Sequence, residues 1–170
     1  MAEDHDQVAT YNRLLHDAAR SDNVDQLLEV FAKSDKFDIN FQDGIGNTAL
    51  HWAASEGSLD ALNELLEYED CDVDLVNRLE GATPLHLAVK IKEPELRALI
   101  VDSLLDAGAD TSIKDKAGLV ALEYVAEDDK ETRNAFLRHQ AERSISKYDI
   151  ASDDDDDDDD EEYDSESGEE

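Results

Sequence analysis

The sequence predicts an all-α fold, in which short helix-turn-helix units stack into a solenoid and a disordered acidic tail follows. Three observations predict it: a Leu-His pattern recurs at equal spacing, amphipathic segments follow the pattern, and residues 151–170 hold 14 acids and no base. A unit of this size cannot bury its apolar face alone. Neighbouring units must therefore share one core.

The recurring pattern supplies the first helix of each unit. Its copies lie at 15–19, 50–54 and 85–89, so that His16, His51 and His86 are separated by 35 residues each. A weaker fourth copy follows 37 residues later and has Glu123 at the histidine position. This periodicity predicts a stack of about four units.

Turn and capping residues precede the first helices. Gly46, Gly81 and Gly118 occupy the turns, where glycine permits backbone angles that other residues resist. Thr48 and Thr83 follow two residues after the first two of these glycines, a position that predicts helix N-caps. Each first helix is therefore predicted to be short, about two turns long.

A second helix is predicted in each unit from apolar residues at helical spacing. In the second copy these are Leu59, Leu62, Leu65 and Leu66, and in the first copy Val24, Leu27, Val30 and Phe31. The third copy carries about four extra residues between Ile91 and Leu99. We therefore expect Pro94 to begin a second helix that is one turn longer than its neighbours.

Two motifs connect the chain to a known family. The segments Thr83-Pro84-Leu85-His86-Leu87-Ala88 and Leu104-Leu105-Asp106-Ala107-Gly108-Ala109-Asp110 resemble the signatures of ankyrin repeats, over about residues 14–137. The first copy lacks the turn glycine and threonine, and the fourth has Val120 in place of the threonine. Both are expected to be end units that face solvent.

The predicted organisation has three parts. They are an N-terminal arm at 1–13, an ankyrin-repeat domain at 14–143 with repeats at about 14–43, 44–77, 78–115 and 116–143, and a disordered acidic tail at 144–170. By flexible-chain scaling, the last 20 residues reach on the order of 25 Å from their anchor.

Composition restricts the compartment and the partners. A single cysteine excludes an intramolecular disulfide and favours a reducing compartment, so we expect a cytoplasmic protein that could also enter the nucleus. The sequence shows no secretory signal and no run of 18 apolar residues. A net charge of −31 repels nucleic acids and anionic lipids and attracts basic proteins. The charge could alternatively serve solubility alone.

No catalytic residue, cofactor or metal site is predicted. The three repeated histidines are interpreted as structural, because stacked repeats hold equivalent positions about 10 Å apart. The segment 44–49 fits a dinucleotide-binding pattern, but no buried strand is predicted before it. Asp70, Asp72 and Asp74 resemble the start of a calcium loop that lacks its glycine and its glutamate.

The resemblance implies a binding scaffold that contacts protein partners through its turn tips and the exposed side of its first helices. Transferred to this sequence, it implies contacts at Ile45, Asn47, Trp52, Ser55, Glu56, Leu79, Glu80, Ala82, Lys90 and Ile91. Exposed Ile45 and Leu79 would serve as apolar anchors. Trp52 could lie in the binding groove along the first helices or in the apolar core.

Two functions are compatible with the sequence. The first is an escort that shields a basic partner, such as a ribosomal or other nucleic-acid-binding protein, and acts as a monomer. In layout the chain resembles small fungal ankyrin-repeat escorts of ribosomal proteins. The second is a regulatory adaptor or stoichiometric inhibitor of a signalling protein, for which the tail would be incidental.

The tail could cover positive charge on a partner, shield the chain intramolecularly, or serve solubility. Its acidic run comprises Asp153, Asp154, Asp155, Asp156, Asp157, Asp158, Asp159, Asp160, Glu161 and Glu162. Ser152 and Ser167 have the acidic context of kinase sites. Because each phosphate adds roughly two charges to 14 existing ones, no structural switch is expected.

Overall fold

The computed structural model describes residues 2–33 and 35–147 and divides the chain into two units, 1–136 and 137–170. The helices are α1 Ala2–Arg20, α2 Val24–Phe31, α3 Ala49–Glu56, α4 Leu59–Glu67, α5 Pro84–Ala88, α6 Pro94–Asp106, a 3₁₀ turn Ala121–Tyr124, and α7 at 130–147. Across these described residues the fold is all-α, without strands.

Within residues 1–136 the helices form two rows. The inner row is α1, α3, α5 and the 3₁₀ turn, and each member packs against the next. The outer row is α2, α4 and α6, which pack in the same order. The predicted solenoid of helix pairs is therefore confirmed.

A continuous apolar core runs between the two rows. Its largest fully buried side chains are mostly leucines of the first three helix pairs, among them Leu15, Leu27, Leu50, Leu62, Leu65, Leu85, Leu104 and Leu105. Each contributes roughly 1.5–3 kcal/mol relative to an exposed side chain. No single helix pair encloses this core, which explains why the units stack.

The repeated histidines join one repeat to the next. In His51, Nδ1 accepts a hydrogen bond from the Thr48 N–H at 3.1 Å, and the Nε2–H donates to the Ala82 carbonyl of the next repeat at 3.0 Å. His86 bonds in the same way to Thr83 and, at 3.0 Å, to the Leu119 carbonyl. The interpretation of these two histidines as structural is confirmed.

The turn tips form a second link between repeats. Gly46 has a φ of +88°, which the tight turn after Asp43 requires. Arg78 N–H donates to the Ile45 carbonyl at 2.9 Å, so neighbouring tips are joined by their backbones. Lys116 N–H donates to the Glu80 carbonyl at 2.9 Å in the same way.

The third repeat agrees with the prediction from the sequence, whereas the first and fourth repeats differ from it. Helix α6 begins at Pro94 and has 13 residues against 9 in α4, which confirms the extra turn. Helix α1 already begins at Ala2, so the predicted arm is part of the first helix. In the fourth repeat, the first helix is reduced to the 3₁₀ turn.

At the carboxyl end, α7 continues to residue 147. Residues 144–147 therefore belong to a helix and not to the predicted tail. The prediction of disorder for 148–170 lies outside the described residues, as do Ser152, Ser167 and the acidic run 153–162.

Two of the buried histidines, His16 and His51, make stability depend on pH. Burial lowers the pKa of His51 and of His16 below the ordinary 6.5, because the charged ring loses its hydration. The unfolded chain then binds more protons than the folded chain once the pH falls below 6.5. We expect the free energy of unfolding to fall as the pH is lowered from 7.5 through 6.5 towards 5.5.

Urea denaturation across this range measures the effect. The slope should be shallower in His51→Gln than in the wild-type chain. A slope that is unchanged in His51→Gln would contradict the assignment.

Candidate functional site

The candidate site is the inner-helix face, which we define as the exposed side chains of α1, α3, α5 and the 3₁₀ turn together with the turn tips. One position of the repeat places Asp17, Trp52, Leu87 and Tyr124 along this face. The position three residues later places Arg20, Ser55 and Lys90 beside them. The side chains at these two repeat positions are therefore placed to contact a molecule that binds along the inner helices.

Trp52 is fixed in place from two sides. Its indole Nε1–H donates to Asp43 Oδ2 at 2.8 Å, and the Arg20 guanidinium carbon lies 4.3 Å from the ring centroid. The ring is half-buried and also packs against the core. Trp52 therefore belongs to both the groove and the core, and its exposed edge is rigidly oriented.

The same arrangement recurs two repeats later. The Tyr124 hydroxyl donates to Asp115 Oδ2, and Lys90 Nζ lies 4.9 Å from the Tyr124 ring centroid. Lys90 also forms an ion pair with Glu80 at 3.1 Å. The inner-helix face thus carries two similar clusters, each made of a carboxylate, an aromatic ring and a cation.

Both carboxylates are charged at neutral pH. Partial burial favours a raised pKa for Asp43, but hydrogen bonds from Trp52 and from the Asn47 and Ile45 amides outweigh it and lower the pKa. The hydrogen bond from Tyr124 lowers the pKa of Asp115, and the same bond raises the pKa of Tyr124 to about 12. Asp43 and Asp115 therefore keep their negative charge across the physiological range.

A groove of about 580 Å³ lies between α1 and α3. Its wall includes Arg13, His16, Arg20, Phe41, Asp43 and Trp52. The lining thus combines basic, acidic and aromatic side chains. This composition suits a peptide segment with mixed polar and apolar side chains.

The turn tips expose the predicted apolar anchors. Leu79 is 62 % exposed and Ile45 is 39 % exposed on the adjacent tip. Ser55, Glu56, Glu80 and Lys90 are exposed as well. Their side chains are therefore available for contact.

Three of the proposed contact residues are not available. Asn47, Ala82 and Ile91 are buried, with exposures of 5 %, 0 % and 7 %. The Asn47 carboxamide oxygen accepts a hydrogen bond from Asn77 Nδ2 at 2.9 Å, and the Ala82 carbonyl bonds to His51. Ile91 belongs to the apolar core. Assigning these three residues to a partner surface was wrong, because their side chains point into the interior of the stack.

Sequence reasoning missed Arg20, Asp43, Asp115 and Tyr124. A signal was present, since Asp43 and Asp115 are 72 residues apart, and so are Trp52 and Tyr124. Comparing exposed repeat positions two units apart would have found both clusters.

The outer-helix face, which comprises the exposed side chains of α2, α4 and α6, has a different character. Helices α2 and α4 contain no lysine or arginine, and their acids are Asp25, Glu29, Asp60, Glu64 and Glu67. None of the five forms an ion pair with another described residue. The one base of α6, Arg97, is neutralised by Asp129 at 2.7 Å.

Stacked helix pairs with hydrogen-bonded tips define a helical-repeat scaffold of the protein-binding class. The family model for ankyrin repeats matches three copies over residues 15–115. The chain therefore belongs to the ankyrin-repeat family, whose repeats are protein–protein interaction modules and typically non-enzymatic.

The chain is similar to several known proteins with different names and lengths. The chain is similar to ankyrin repeat-containing protein YGL242C of Saccharomyces cerevisiae, at 34 % identity over 62 % of this chain and 64 % of the relative. It is also similar to E3 ubiquitin-protein ligase hecd-1 of Caenorhabditis elegans, at 29 % identity over 79 % of this chain and 5 % of the relative. BCL-6 corepressor-like protein 1 of Homo sapiens matches at 36 % identity, over 68 % of this chain and 6 % of the relative. The chain spans less than two thirds of the length of each of these relatives.

Other kinds of site find little support among the described residues. No helix there is long and apolar enough to cross a membrane. No group of three or more histidine, cysteine or acidic side chains in that part of the chain could hold a metal ion. Burial raises the pKa of Cys71 to about 11, which keeps its thiol protonated and weakly nucleophilic.

Proposed function

We propose that this protein is an escort that shields a basic partner, such as a ribosomal or other nucleic-acid-binding protein, in the cytoplasm or the nucleus. The observation that carries the proposal is the outer-helix face, where the neighbouring helices α2 and α4 contain acids and no lysine or arginine. Such a surface attracts and screens positive charge. The chain acts as a monomer in this proposal.

Recognition would combine attraction with anchoring. The acids of the outer-helix face and the 14 acids of 151–170 raise the rate of encounter with a basic protein. The apolar tips at Ile45 and Leu79 then bury surface against the partner, which slows dissociation. Charge would thus favour basic proteins as a class, and the apolar contacts at the turn tips would determine which basic protein is bound.

Charge reversal tests the electrostatic part. Asp60→Lys/Glu67→Lys changes two residues of α4, and Glu3→Lys/Asp6→Lys makes the same change of net charge at the start of α1. Proteins captured from a nuclease-treated lysate are identified by mass spectrometry, and the most abundant is purified for titration calorimetry. We expect a high-pI partner whose binding weakens roughly tenfold with the α4 pair and little with the α1 pair.

Salt provides the second measurement. Affinity for that partner should fall between about 50 and 500 mM salt, where screening lengths shorten from about 14 to 4 Å. An affinity that does not change over this range would refute the electrostatic proposal.

A regulatory adaptor or stoichiometric inhibitor is the second candidate. It is favoured by the Asp43–Trp52–Arg20 and Asp115–Tyr124–Lys90 clusters, because rigid aromatic and charged groups suit one specific partner. Deleting 151–170 separates the candidates: an adaptor keeps its affinity, whereas an escort loses affinity or releases its partner faster. Ile45→Ser/Leu79→Ser should weaken either kind of complex and so reports whether the tips are used.

A further inference from the structure

The turn tips of the second, third and fourth repeats join into one surface, the tip patch, which we define as the exposed side chains of Ile45, Arg78, Leu79 and Lys116. The Arg78 and Leu79 amides both donate to the Ile45 carbonyl, at 2.9 and 3.2 Å. The Lys116 ammonium donates to the Arg78 carbonyl and lies 3.4 Å from the Leu79 carbonyl oxygen. Apolar and cationic side chains therefore lie side by side on the same surface.

Each cation of the tip patch packs over the glycine turn of the preceding repeat. Arg78 Cγ would lie 2.9 Å from a Cβ atom built on Gly46, and Lys116 Cγ would lie 3.0 Å from one built on Gly81. The aliphatic parts of both side chains thus rest on a turn. The same arrangement occurs twice, with an apolar side chain of one tip beside a cation of the next tip.

The positive charge of the tip patch is not neutralised by nearby carboxylates. Both cations are exposed, and neither forms an ion pair with another described residue. Among the acids of the same turns, Glu80 pairs with Lys90 at 3.1 Å. Asp43 and Asp115 accept hydrogen bonds from amides of their own turns. A chain with a net charge of −31 therefore carries a positive surface at its tips.

We propose that the tip patch binds an acidic segment of a partner protein that also carries apolar side chains. Carboxylates of the segment would pair with Arg78 and Lys116, and its apolar side chains would bury Ile45 and Leu79. Charge complementarity carries the assignment, because the two cations attract an acidic segment and repel a basic one. The tip patch and the outer-helix face thus recognise segments of opposite charge.

The repeat spacing predicts the residue pattern of the segment. Neighbouring helices pack about 8–10 Å apart, so equivalent positions on successive tips have a similar separation. A polyproline II segment returns to the same face every third residue, which corresponds to about 9 Å. A segment that runs along the tips in this conformation would present one apolar and one acidic residue in every three.

This inference does not rest on the escort proposal. That proposal assigns positive charge on the partner to the outer-helix face, whereas the tip patch requires negative charge in the segment that it binds. A basic protein that also carries an acidic, apolar segment would use both surfaces. Variants of α4 and variants of the tips therefore test the two proposals separately.

Fluorescence anisotropy with labelled synthetic peptides and the full-length chain tests the assignment at about 150 mM salt. The probes are four repeats of Leu-Glu-Pro and, as the control without apolar side chains, four repeats of Ser-Glu-Pro. We expect the Leu-Glu-Pro peptide to bind about tenfold more tightly than the control. Arg78→Met/Lys116→Met, which keeps the aliphatic stems, should weaken its binding roughly tenfold. Lys33→Met/Lys92→Met, which removes two exposed lysines outside the tip patch, should change it little.

A third peptide, four repeats of Leu-Lys-Pro, separates the tip patch from the escort proposal. Its binding should weaken in Asp60→Lys/Glu67→Lys and should not weaken in Arg78→Met/Lys116→Met. The Leu-Glu-Pro peptide should show the reverse dependence. Failure of the Leu-Lys-Pro result alone contradicts the electrostatic part of the escort proposal, whereas failure of the Leu-Glu-Pro result alone contradicts the tip-patch assignment.

The assignment is also overturned if the Leu-Glu-Pro and Ser-Glu-Pro peptides bind equally. NMR of the chain without peptide identifies other occupants: tip amide shifts that depend on protein concentration would place a second copy on the patch, and shifts confined to the tips on deletion of 151–170 would place the acidic tail there. Either result overturns the assignment to a partner. If the methionine pair fails to fold, shift mapping of the Leu-Glu-Pro peptide on the parent chain decides the question. Shifts are then expected at residues 45, 78, 79 and 116, and shifts elsewhere would refute the site.

Discussion

Replacing Gly46 with alanine is expected to lower the free energy of unfolding by about 3 kcal/mol. A Cβ atom at this position would lie 2.3 Å from the Arg78 amide nitrogen and 2.9 Å from Arg78 Cγ. Gly46 also has a φ of +88°, which strains any other residue. The substitution therefore distorts its own turn and displaces the Arg78–Ile45 hydrogen bond that joins two tips.

Two other glycines separate these causes. Gly118 has a φ of +82° with no atom within 4 Å of a built Cβ, so Gly118→Ala should cost only the backbone strain, roughly 1–2 kcal/mol. Gly44 has neither constraint, and Gly44→Ala should be nearly neutral. Urea denaturation of the three variants measures the series. Equal losses for Gly46→Ala and Gly118→Ala would show that the contact with Arg78 has no energetic role.

Leu104→Ala should cost about 3 kcal/mol of unfolding free energy, because it opens a cavity in the core shared by neighbouring repeats. Leu104 is fully buried in α6, the longest of the outer helices. Leu99 lies on the same helix and is 52 % exposed, so Leu99→Ala should change stability by roughly 0.5 kcal/mol or less. The two variants make the same substitution in the same helix and differ only in the burial of the leucine. Similar losses for both would contradict the assignment of the core side of α6.

The repeat structure could be predicted from local signals. The threonine caps at Thr48 and Thr83 and the proline at Pro94 each act within one turn of a helix, so their effects are visible in a short window of sequence. The histidines could be interpreted as structural because their spacing matches the repeat.

The surface was harder to predict because exposure depends on neighbouring repeats. Ala82 lies at a turn tip, where sequence suggests access, but the preceding repeat covers it and its carbonyl bonds to His51. The pairing of Arg20 with Trp52 joins residues 32 positions apart in different repeats. Helix α1 begins at Ala2, within the predicted N-terminal arm, and the sequence offers no Ser, Thr, Asp or Asn before Ala2 that would have indicated a helix start there.

The hydrogen bonds of the repeated histidines run from each repeat to the next one along the chain. His51 and His86 each bind a carbonyl supplied by the following unit, so every such unit is completed by its successor. The fourth unit has Glu123 in this position, and its side chain accepts from its own Val120 amide at 2.7 Å. Glu123 thus forms its hydrogen bond within its own repeat and makes none to a following repeat, so the stack ends at the fourth unit. Adding a fifth unit to this scaffold would first require threonine and histidine to be restored at Val120 and Glu123.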